Sequence, residues 1–180
     1  MLEAAIQAAG KGVQVMIGVA ESHGREDTMR LIGRLPRLPM KKMAYRGVQM
    51  EEFDLEEALR VKPQLILVDE LAHTNVPGMR HRKRYQEAED LLAAGIDVYT
   101  TLNVQHLESR SDTVHDITAA PVQETVPDSV LAEADCIQLV DITPEQLRTR
   151  LQEGKVYSAP QASAALNHFF KESNLTALRE

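Results

Sequence analysis

Short apolar runs alternate with stretches of helical periodicity along residues 1–150. Apolar residues recur at helical spacing in residues 1–9, and glycines then separate this predicted helix from the strand-like run VQVMIGVAE at 13–21. LILVDE at 65–70 and IDVYTTLN at 96–103 are two further predicted strands. Because strands and helices alternate, we predict an α/β fold with a mostly parallel sheet and helices on both of its faces.

The same patterns define the remaining elements. We predict helices that begin at capping residues or end at glycine or proline, at 26–34, 54–61 with Asp54 as N-cap, 85–94, 104–119, 128–134 and 143–153. Residues 40–53 are predicted to form either a hairpin or an extended arm. CIQLVDI at 136–142 is predicted to be the last strand, and residues 158–180 are predicted to form two short helices.

Composition is that of a globular protein, with 43% hydrophobic and 26% charged residues. No apolar run approaches the roughly 20 residues that a membrane span requires, and no secretory leader opens the chain. We therefore expect a soluble segment that is not exported and does not insert into a membrane. The single Cys136 begins an apolar run, where we expect it to be buried as a small hydrophobic residue.

Charge is unevenly distributed along the chain. The net charge is −7, yet residues 25–46 carry seven basic and two acidic side chains, and residues 80–84 read Arg-His-Arg-Lys-Arg. The acidic total argues against nucleic-acid binding, while the two basic islands fit a phosphate ligand, an acidic partner or simply a solvated face. The six histidines lack the paired spacing of zinc ligands, so we expect no metal site built from them.

Two carboxylates follow directly after the most apolar of the predicted strands. Asp69 and Glu70 follow LILV, and the carboxyl ends of parallel strands are where open α/β sheets hold ligands. In nucleotide hydrolases the first acid of such a pair helps to hold Mg²⁺, usually through water, and a following Glu can orient or deprotonate the attacking water. The alternative is that the acids cap the next helix or remain solvated.

Polar residues also follow the neighbouring predicted strands, and this favours a binding site. Thr101 and Asn103 leave the 96–103 strand, and the 13–21 strand ends at Glu21 before Ser22 and His23. The residues that we expect to bind a nucleotide are Asp69, Glu70, Thr101, Asn103, Arg25, His73 and Thr74. Asp69 is the candidate Mg²⁺ contact and Glu70 the candidate catalytic base. Arg25, or one of Arg80, Arg82 and Lys83, could neutralise phosphate charge.

The glycine-rich phosphate loop that normally completes such a site does not occur in the sequence. Gly10-Lys11 does not qualify, because Gly12 stands where Ser or Thr is required and the pair follows a helix. In a P-loop NTPase-like layout, the missing first strand and loop would lie upstream of Met1. We therefore expect weak or absent ATP and Mg²⁺ binding by this chain alone.

Several segments carry a resemblance to a known family: ESHGR at 21–25, LVDELAHTNVPGMRH at 67–81, GIDVYTTLNVQHLES at 95–109 and ETVPDSVL at 124–131. With YRG at 45–47, EEFDLEEAL at 51–59 and EGKVY at 153–157, they resemble the N-terminal cytoplasmic domain of the KdpD family of potassium-responsive sensor histidine kinases. The resemblance implies an ATP-binding regulatory domain, in the cytoplasm, of a parent protein in the plasma membrane. Asp69 and Glu70 match the family's Walker B acids.

The resemblance also implies a domain organisation and a set of partners. We expect an α/β domain at 1–157, a helical extension at 158–180 that leads to a following domain, and the remainder of the sensor kinase as partner. Whether the protein also forms a homodimer is left open. No segment resembles a kinase core, so enzyme activity is open as well: the alternatives to a regulatory domain are a slow ATPase, and an interaction domain that uses the 25–46 island or Phe169 and Phe170.

Overall fold

The computed structural model describes residues 1–119, 121–152 and 170–179. The chain divides into two compact units, Met1–Asn103 and Val104–Glu180. The predicted boundary between residues 157 and 158 lies outside the described residues and stays a prediction.

The first unit contains a parallel sheet and a separate hairpin. Its elements are α1 (Leu2–Gly10), β1 (Val15–Val19), α2 (Glu26–Ile32), β2 (Lys41–Tyr45), β3 (Val48–Glu52), α3 (Leu55–Val61), β4 (Leu65–Val68), α4 (Arg84–Ala93) and β5 (Asp97–Thr100). The parallel sheet has the order β1-β4-β5, with Leu67 of β4 opposite Ile17 of β1 and Tyr99 of β5. The central strand is therefore the one that precedes the acid pair.

Alternate residues of β4 face two hydrophobic clusters on opposite faces of the sheet. Leu65 and Leu67 belong to a cluster that includes Ala5 of α1, whereas Ile66 and Val68 belong to one that includes residues of α3 and α4. Side chains alternate between the faces of a strand, so a strand that is apolar throughout must be covered on both sides. The predicted α/β fold with a parallel sheet between helices is confirmed, and the P-loop NTPase-like layout stays a prediction.

Local sequence explains the hairpin and the helix after it. Strands β2 and β3 pair antiparallel, and Arg46 and Gly47 turn between them with φ angles of 50° and 79°. Two positive φ values are typical of the tight turns that match strand twist. Of the two alternatives for residues 40–53, the hairpin is therefore correct. Asp54 caps α3 as predicted, since its carboxylate accepts the backbone N–H of Glu57 at 3.1 Å.

The second unit is largely helical where it is described. It contains a 3₁₀ helix at Val104–His106 and the helices α5 (Glu108–Thr118), α6 (Ser129–Ala132), α7 (Pro144–Gln152) and α8 (Glu172–Arg179). Thr143 caps α7 as predicted: its hydroxyl accepts the Gln146 N–H and the Gln146 side chain accepts the Thr143 N–H, both at 3.2 Å. The predicted end of this helix at 153 and the first of the two C-terminal helices lie outside the described residues.

One predicted strand is wrong. Residues 136–142 form no strand, and Ile137, Leu139 and Val140 are 62%, 84% and 83% exposed. An apolar run becomes a strand only when a neighbouring strand pairs with its backbone, and the described residues supply no such neighbour to this run. Cys136 is likewise exposed, so its predicted burial is also wrong.

Within residues 1–119, 121–152 and 170–179, no helix is both long enough and apolar enough to cross a bilayer.

A glycine in β1 permits close packing against the hairpin end. A Cβ atom at Gly18 would lie 2.5 Å from Phe53 Cε2 and 3.1 Å from Ile66 Cδ1, whereas a Cβ at Gly10 would meet nothing within 4 Å. We predict that Gly18→Ala lowers the free energy of unfolding by about 1–3 kcal/mol, the usual cost of overpacking a core. Gly10→Ala is the matched control and should not lower stability; it should raise it by up to about 1 kcal/mol, because Gly10 ends helix α1 and alanine favours the helical conformation. Denaturant unfolding measures both, and equal effects would contradict the packing argument.

Candidate functional site

The acid pair lies where the three parallel strands end. The backbone N–H of Asp69 donates to the Val19 carbonyl at 3.1 Å, and the N–H of Leu71 donates to the Thr101 carbonyl at 3.0 Å. Residues 69–71 are thus held on one side by the end of β1 and on the other by the residue after β5. This is the carboxyl edge of the sheet, as the sequence predicted.

The Asp69 carboxylate joins the three strand ends. Its Oδ2 accepts the backbone N–H of Glu21 at 3.0 Å, and its Oδ1 accepts the N–H of Glu70 at 3.1 Å and the hydroxyl of Thr101. The expectation that polar groups from three strands meet at one edge is confirmed. A carboxylate offers about four lone-pair sites, so Asp69 retains about one, on Oδ2, for a further ligand.

Glu70 and His23 form a contact that the sequence did not reveal. His23 Nε2 lies 3.1 Å from Glu70 Oε1, and the two side chains are 54% and 43% exposed. Both residues have left-handed backbones, with φ values of 49° and 55°. This conformation costs a non-glycine residue roughly 1–2 kcal/mol, and such strain concentrates at functional sites. The contact holds the Glu70 carboxylate at the surface of the edge, beside Asp69.

A buried arginine supports the acid pair from inside the unit. Arg84 is 3% exposed, and its Nη1 donates to the carbonyl of Asp69 at 3.0 Å, with the Glu70 carbonyl at 3.5 Å. Its Nη2 lies 3.6 Å from Oε2 of Glu52, which is 1% exposed. The other oxygen of Glu52 accepts the N–H of Val76 at 2.9 Å. A buried ion pair therefore connects the end of the hairpin to the first residue of α4, and the Val76 hydrogen bond connects it to the loop that follows β4.

His73 completes this buried network. Its Nε2 lies 3.1 and 3.3 Å from the two oxygens of Glu52. Burial alone would raise the pKa of Glu52, but the hydrogen bonds from His73 and the Val76 backbone and the charges of His73 and Arg84 outweigh it, so the pKa lies below its usual value. His73 was predicted to bind a cofactor; the structure gives its ring a contact with a buried carboxylate.

The other predicted binding residues have varied surroundings. Thr74 Oγ1 accepts a hydrogen bond from Lys83 Nζ at 2.9 Å, within the loop after β4. Arg25 is exposed, and its Nε donates to the Ser22 carbonyl at 3.1 Å. Asn103 is exposed beyond the end of β5. Of the predicted set, the structure brings Asp69, Glu70 and Thr101 into direct contact, and the binding roles of all seven residues stay predictions.

Most of the basic side chains at residues 80–84 either contact groups of the first unit or are buried in it. Arg80 and His81 each lie 2.8 Å from the Asp90 carboxylate, Lys83 Nζ donates to the Ala72 carbonyl at 3.1 Å, and Arg84 is buried. Arg82 is exposed. The alternative of a solvated face fails for the buried Arg84, whereas Arg80 and Arg82 are exposed. The role of one of Arg80, Arg82 and Lys83 in neutralising phosphate charge stays a prediction.

Two residues of the site were missed from the sequence, Glu52 and Arg84, and His23 was placed at the polar edge without its contact to Glu70. Arg84 carried a usable signal, because residues 84, 87, 88 and 91 share one helical face and two of them are Ala88 and Leu91. That spacing places Arg84 on the buried side of α4. Glu52 carries no comparable local pattern, and the contact of His23 with Glu70 joins residues that are 47 positions apart in the chain.

The parallel sheet and its acidic carboxyl edge define the protein as an α/β domain with a candidate ligand site of the kind that open sheets build at their strand ends. Comparison with known families is more specific. The family described as "Osmosensitive K+ channel His kinase sensor domain" matches residues 1–180, and the chain belongs to this KdpD family.

Individual relatives agree with the family assignment. The chain is 54% identical to "Sensor protein KdpD" of Escherichia coli (strain K12) and 51% identical to the protein of that name from Clostridium acetobutylicum, over all 180 of its residues. It is 47% identical to "Sensor protein KdpD" of Mycobacterium tuberculosis over 170 residues, or 94% of the chain. In each case the match covers 20% of the relative. The chain thus spans about a fifth of the length of these relatives.

Glu87 of α4, next to the buried part of the site, makes the stability of the folded protein depend on pH. Its side chain is fully buried, and burial raises its pKa from 4.5 to about 7, although Asn75 and the charge of Arg84 offset part of the effect. Because the folded state then binds a proton that the unfolded state has lost, this contribution to stability is complete below pH 4.5 and disappears as the pH rises through about 7.

We predict that Glu87→Gln removes this dependence. A tenfold change in proton affinity corresponds to about 1.4 kcal/mol, so the parent should lose about 3 kcal/mol relative to the variant between pH 4.5 and pH 8. Denaturant unfolding at several pH values measures the difference. Glu89→Gln, in the same helix but exposed, is the control and should follow the parent. A difference between parent and Glu87→Gln that stays constant with pH would contradict the prediction.

Proposed function

We propose that the carboxyl edge of the sheet binds the phosphates of ATP together with Mg²⁺, and that the chain is the sensory and regulatory part of a two-component sensor histidine kinase that controls potassium uptake. The observation that carries the nucleotide proposal is the Asp69 carboxylate, which joins the three strand ends with Glu70 beside it. Family membership supports the sensory part.

The chemistry of the edge suits a hydrated cation. Mg²⁺ takes oxygen ligands and keeps several of its waters, and Asp69 has about one lone pair left for such a water. In the described part of the chain, no group of three or more His, Cys, Asp or Glu side chains could hold a metal. The cation would therefore need the phosphate oxygens of the nucleotide as further ligands, and Thr101 and Glu70 would lie close to it.

The relatives' names support the place of this domain in signalling. Each of the three is named a sensor protein, and this chain matches about a fifth of each. We propose that the remainder of such a kinase is the partner, that this domain lies in the cytoplasm of a membrane-bound parent, and that nucleotide occupancy biases kinase output. The phosphate-cradling loop, which this sequence lacks, would come from residues outside it.

We predict that a form of the protein extended by the residues encoded upstream of Met1 binds Mg·ATP, while the 180-residue chain binds it weakly or not at all. In the extended form, Asp69→Asn should weaken binding about tenfold or more, because a charged acceptor is lost from the metal's surroundings. Isothermal titration calorimetry with and without Mg²⁺ measures both effects.

The matched control for Asp69→Asn is Asp97→Asn, which changes an exposed aspartate at the opposite end of the sheet. It should leave the affinity unchanged. If the extended protein shows no Mg·ATP binding, or if the two variants bind equally well, the nucleotide proposal is wrong.

A slow ATPase is the second candidate function, and the contact between His23 and Glu70 favours it. An imidazole 3.1 Å from Glu70 Oε1 orients a carboxylate that could then accept a proton from an attacking water. In this reading Asp69 serves the metal and Glu70 is the base. Hydrolysis would release inorganic phosphate at a rate set largely by Glu70.

If the extended protein releases phosphate from ATP, we predict that Glu70→Gln lowers the rate about 100-fold or more and leaves Mg·ATP affinity within a few-fold, because general base catalysis contributes about 10²–10⁴ in rate. Glu21→Gln is the control, since only the backbone N–H of Glu21 contacts Asp69. A phosphate-release assay with calorimetry tests this. Equal rates in the parent and Glu70→Gln would exclude Glu70 as the base.

A further inference from the structure

We propose that Arg84 and Glu52 are positioning residues that set the conformation of the Asp69–Glu70 pair and couple the β2–β3 hairpin to it. The inference about conformation stands on the contacts alone. Its consequence for nucleotide affinity rests on the function proposed above.

Arg84 acts on the backbone of the acid pair rather than on its side chains. The guanidinium Nη1 donates to the Asp69 carbonyl at 3.0 Å, with the Glu70 carbonyl at 3.5 Å. These carbonyls lie on the inner side of the loop, whereas the Asp69 and Glu70 carboxylates contact Thr101 and His23 at the sheet edge. A planar group that reaches two successive carbonyls restricts the peptide between them, and so fixes where the two carboxylates point.

Glu52 holds Arg84 in place and belongs to a different element. It is the last residue of β3, whose other four residues are exposed. Its carboxylate pairs with Arg84 Nη2 at 3.6 Å and accepts hydrogen bonds from the Val76 N–H and from His73. The hairpin is therefore joined to the loop after β4 by buried polar contacts, and a shift of its base would move Arg84 and the carbonyls that it holds.

Stability alone does not account for this arrangement. Replacing a buried ion pair by apolar residues of similar size is often neutral or stabilising, because the charges lose their hydration on burial. In the described part of the chain, Arg84 Nε is also buried without a hydrogen-bond partner, which adds a cost. What an apolar pair could not supply is the contact with the two carbonyls, next to a Glu70 backbone at φ 55°.

The test uses a double variant designed to keep the fold. Glu52→Gln retains an acceptor for the Val76 N–H, and Arg84→Met retains the apolar stem, so together they leave no unpaired buried charge from this ion pair. We expect the midpoint of denaturant unfolding to stay close to that of the parent. Native-state hydrogen exchange of the Glu70 and Leu71 amides, whose partners are Asp69 and Thr101, should be at least about tenfold faster.

Two further variants sharpen the test. Arg84→Lys keeps the charge but loses the planar fork, so it should also speed exchange of the Glu70 and Leu71 amides. Lys41→Met/Glu56→Gln removes an exposed ion pair of 2.9 Å between β2 and α3, near the base of the same hairpin, and should leave these amides unchanged. Unchanged Glu70 and Leu71 exchange in the double variant would overturn the proposal, as would an equal effect in the Lys41/Glu56 control.

A measurement of nucleotide affinity distinguishes a positioning role of Arg84 and Glu52 from a role in stability alone. In the extended protein, the double variant should bind Mg·ATP at least about tenfold more weakly at unchanged unfolding midpoint, whereas a merely structural role predicts affinity that follows stability. If the parent binds and the double variant binds equally well, the coupling to the ligand is wrong. If the parent itself does not bind, the proposed function fails, and the exchange measurement still decides the positioning role.

Discussion

The hydrogen bonds accepted by one carboxylate hold the carboxyl edge of this sheet together. Parallel strands are joined by long crossovers, so nothing in their own connections fixes the ends of neighbouring strands relative to one another. Backbone hydrogen bonds from Asp69 to Val19 and from Leu71 to Thr101 join these ends. The Asp69 carboxylate adds a side-chain link, since it accepts the Glu21 N–H from beyond β1, the Thr101 hydroxyl from beyond β5 and the N–H of Glu70. The Glu21 and Glu70 amides and the Thr101 hydroxyl are positioned by this junction.

A buried ion pair, Arg84–Glu52, lies next to this junction. The free energy that the two charges lose on desolvation is offset by the single conformation that the pair imposes. Arg84 and Glu52 are almost completely buried, and burial lowers the pKa of Arg84 although Glu52 and Glu87 oppose the effect. Such a pair adds little net stability, but it allows few alternative conformations, because each charged group must keep its partners. The loop after β4, which has no regular structure of its own, obtains a defined shape from contacts with α4 and the hairpin.

The sequence predicted the parts of the fold that depend on local pattern. The three strands of the parallel sheet, the capped helices at Asp54 and Thr143 and the polar edge all follow from periodicity and end signals. It failed at residues 136–142, where an apolar run forms a strand only if a pairing strand is available. It also missed Glu52 and the contact of His23 with Glu70, because these roles depend on partners 21 and 47 residues away in the chain.

The hydrogen bonds that the Asp69 carboxylate already accepts limit how a ligand could bind to it. Three hydrogen bonds leave about one lone pair on its carboxylate, so a metal could not take both oxygens of Asp69 without breaking bonds that join the strand ends. A cation bound through water would leave the junction intact and draw Glu70, His23 and Thr101 into one network. Binding would then stiffen the sheet edge and, through Arg84 and Glu52, the base of the hairpin. A ligand that changes the freedom of a distant element in this way alters the affinity of that element for its own partner, which is the physical requirement for regulation.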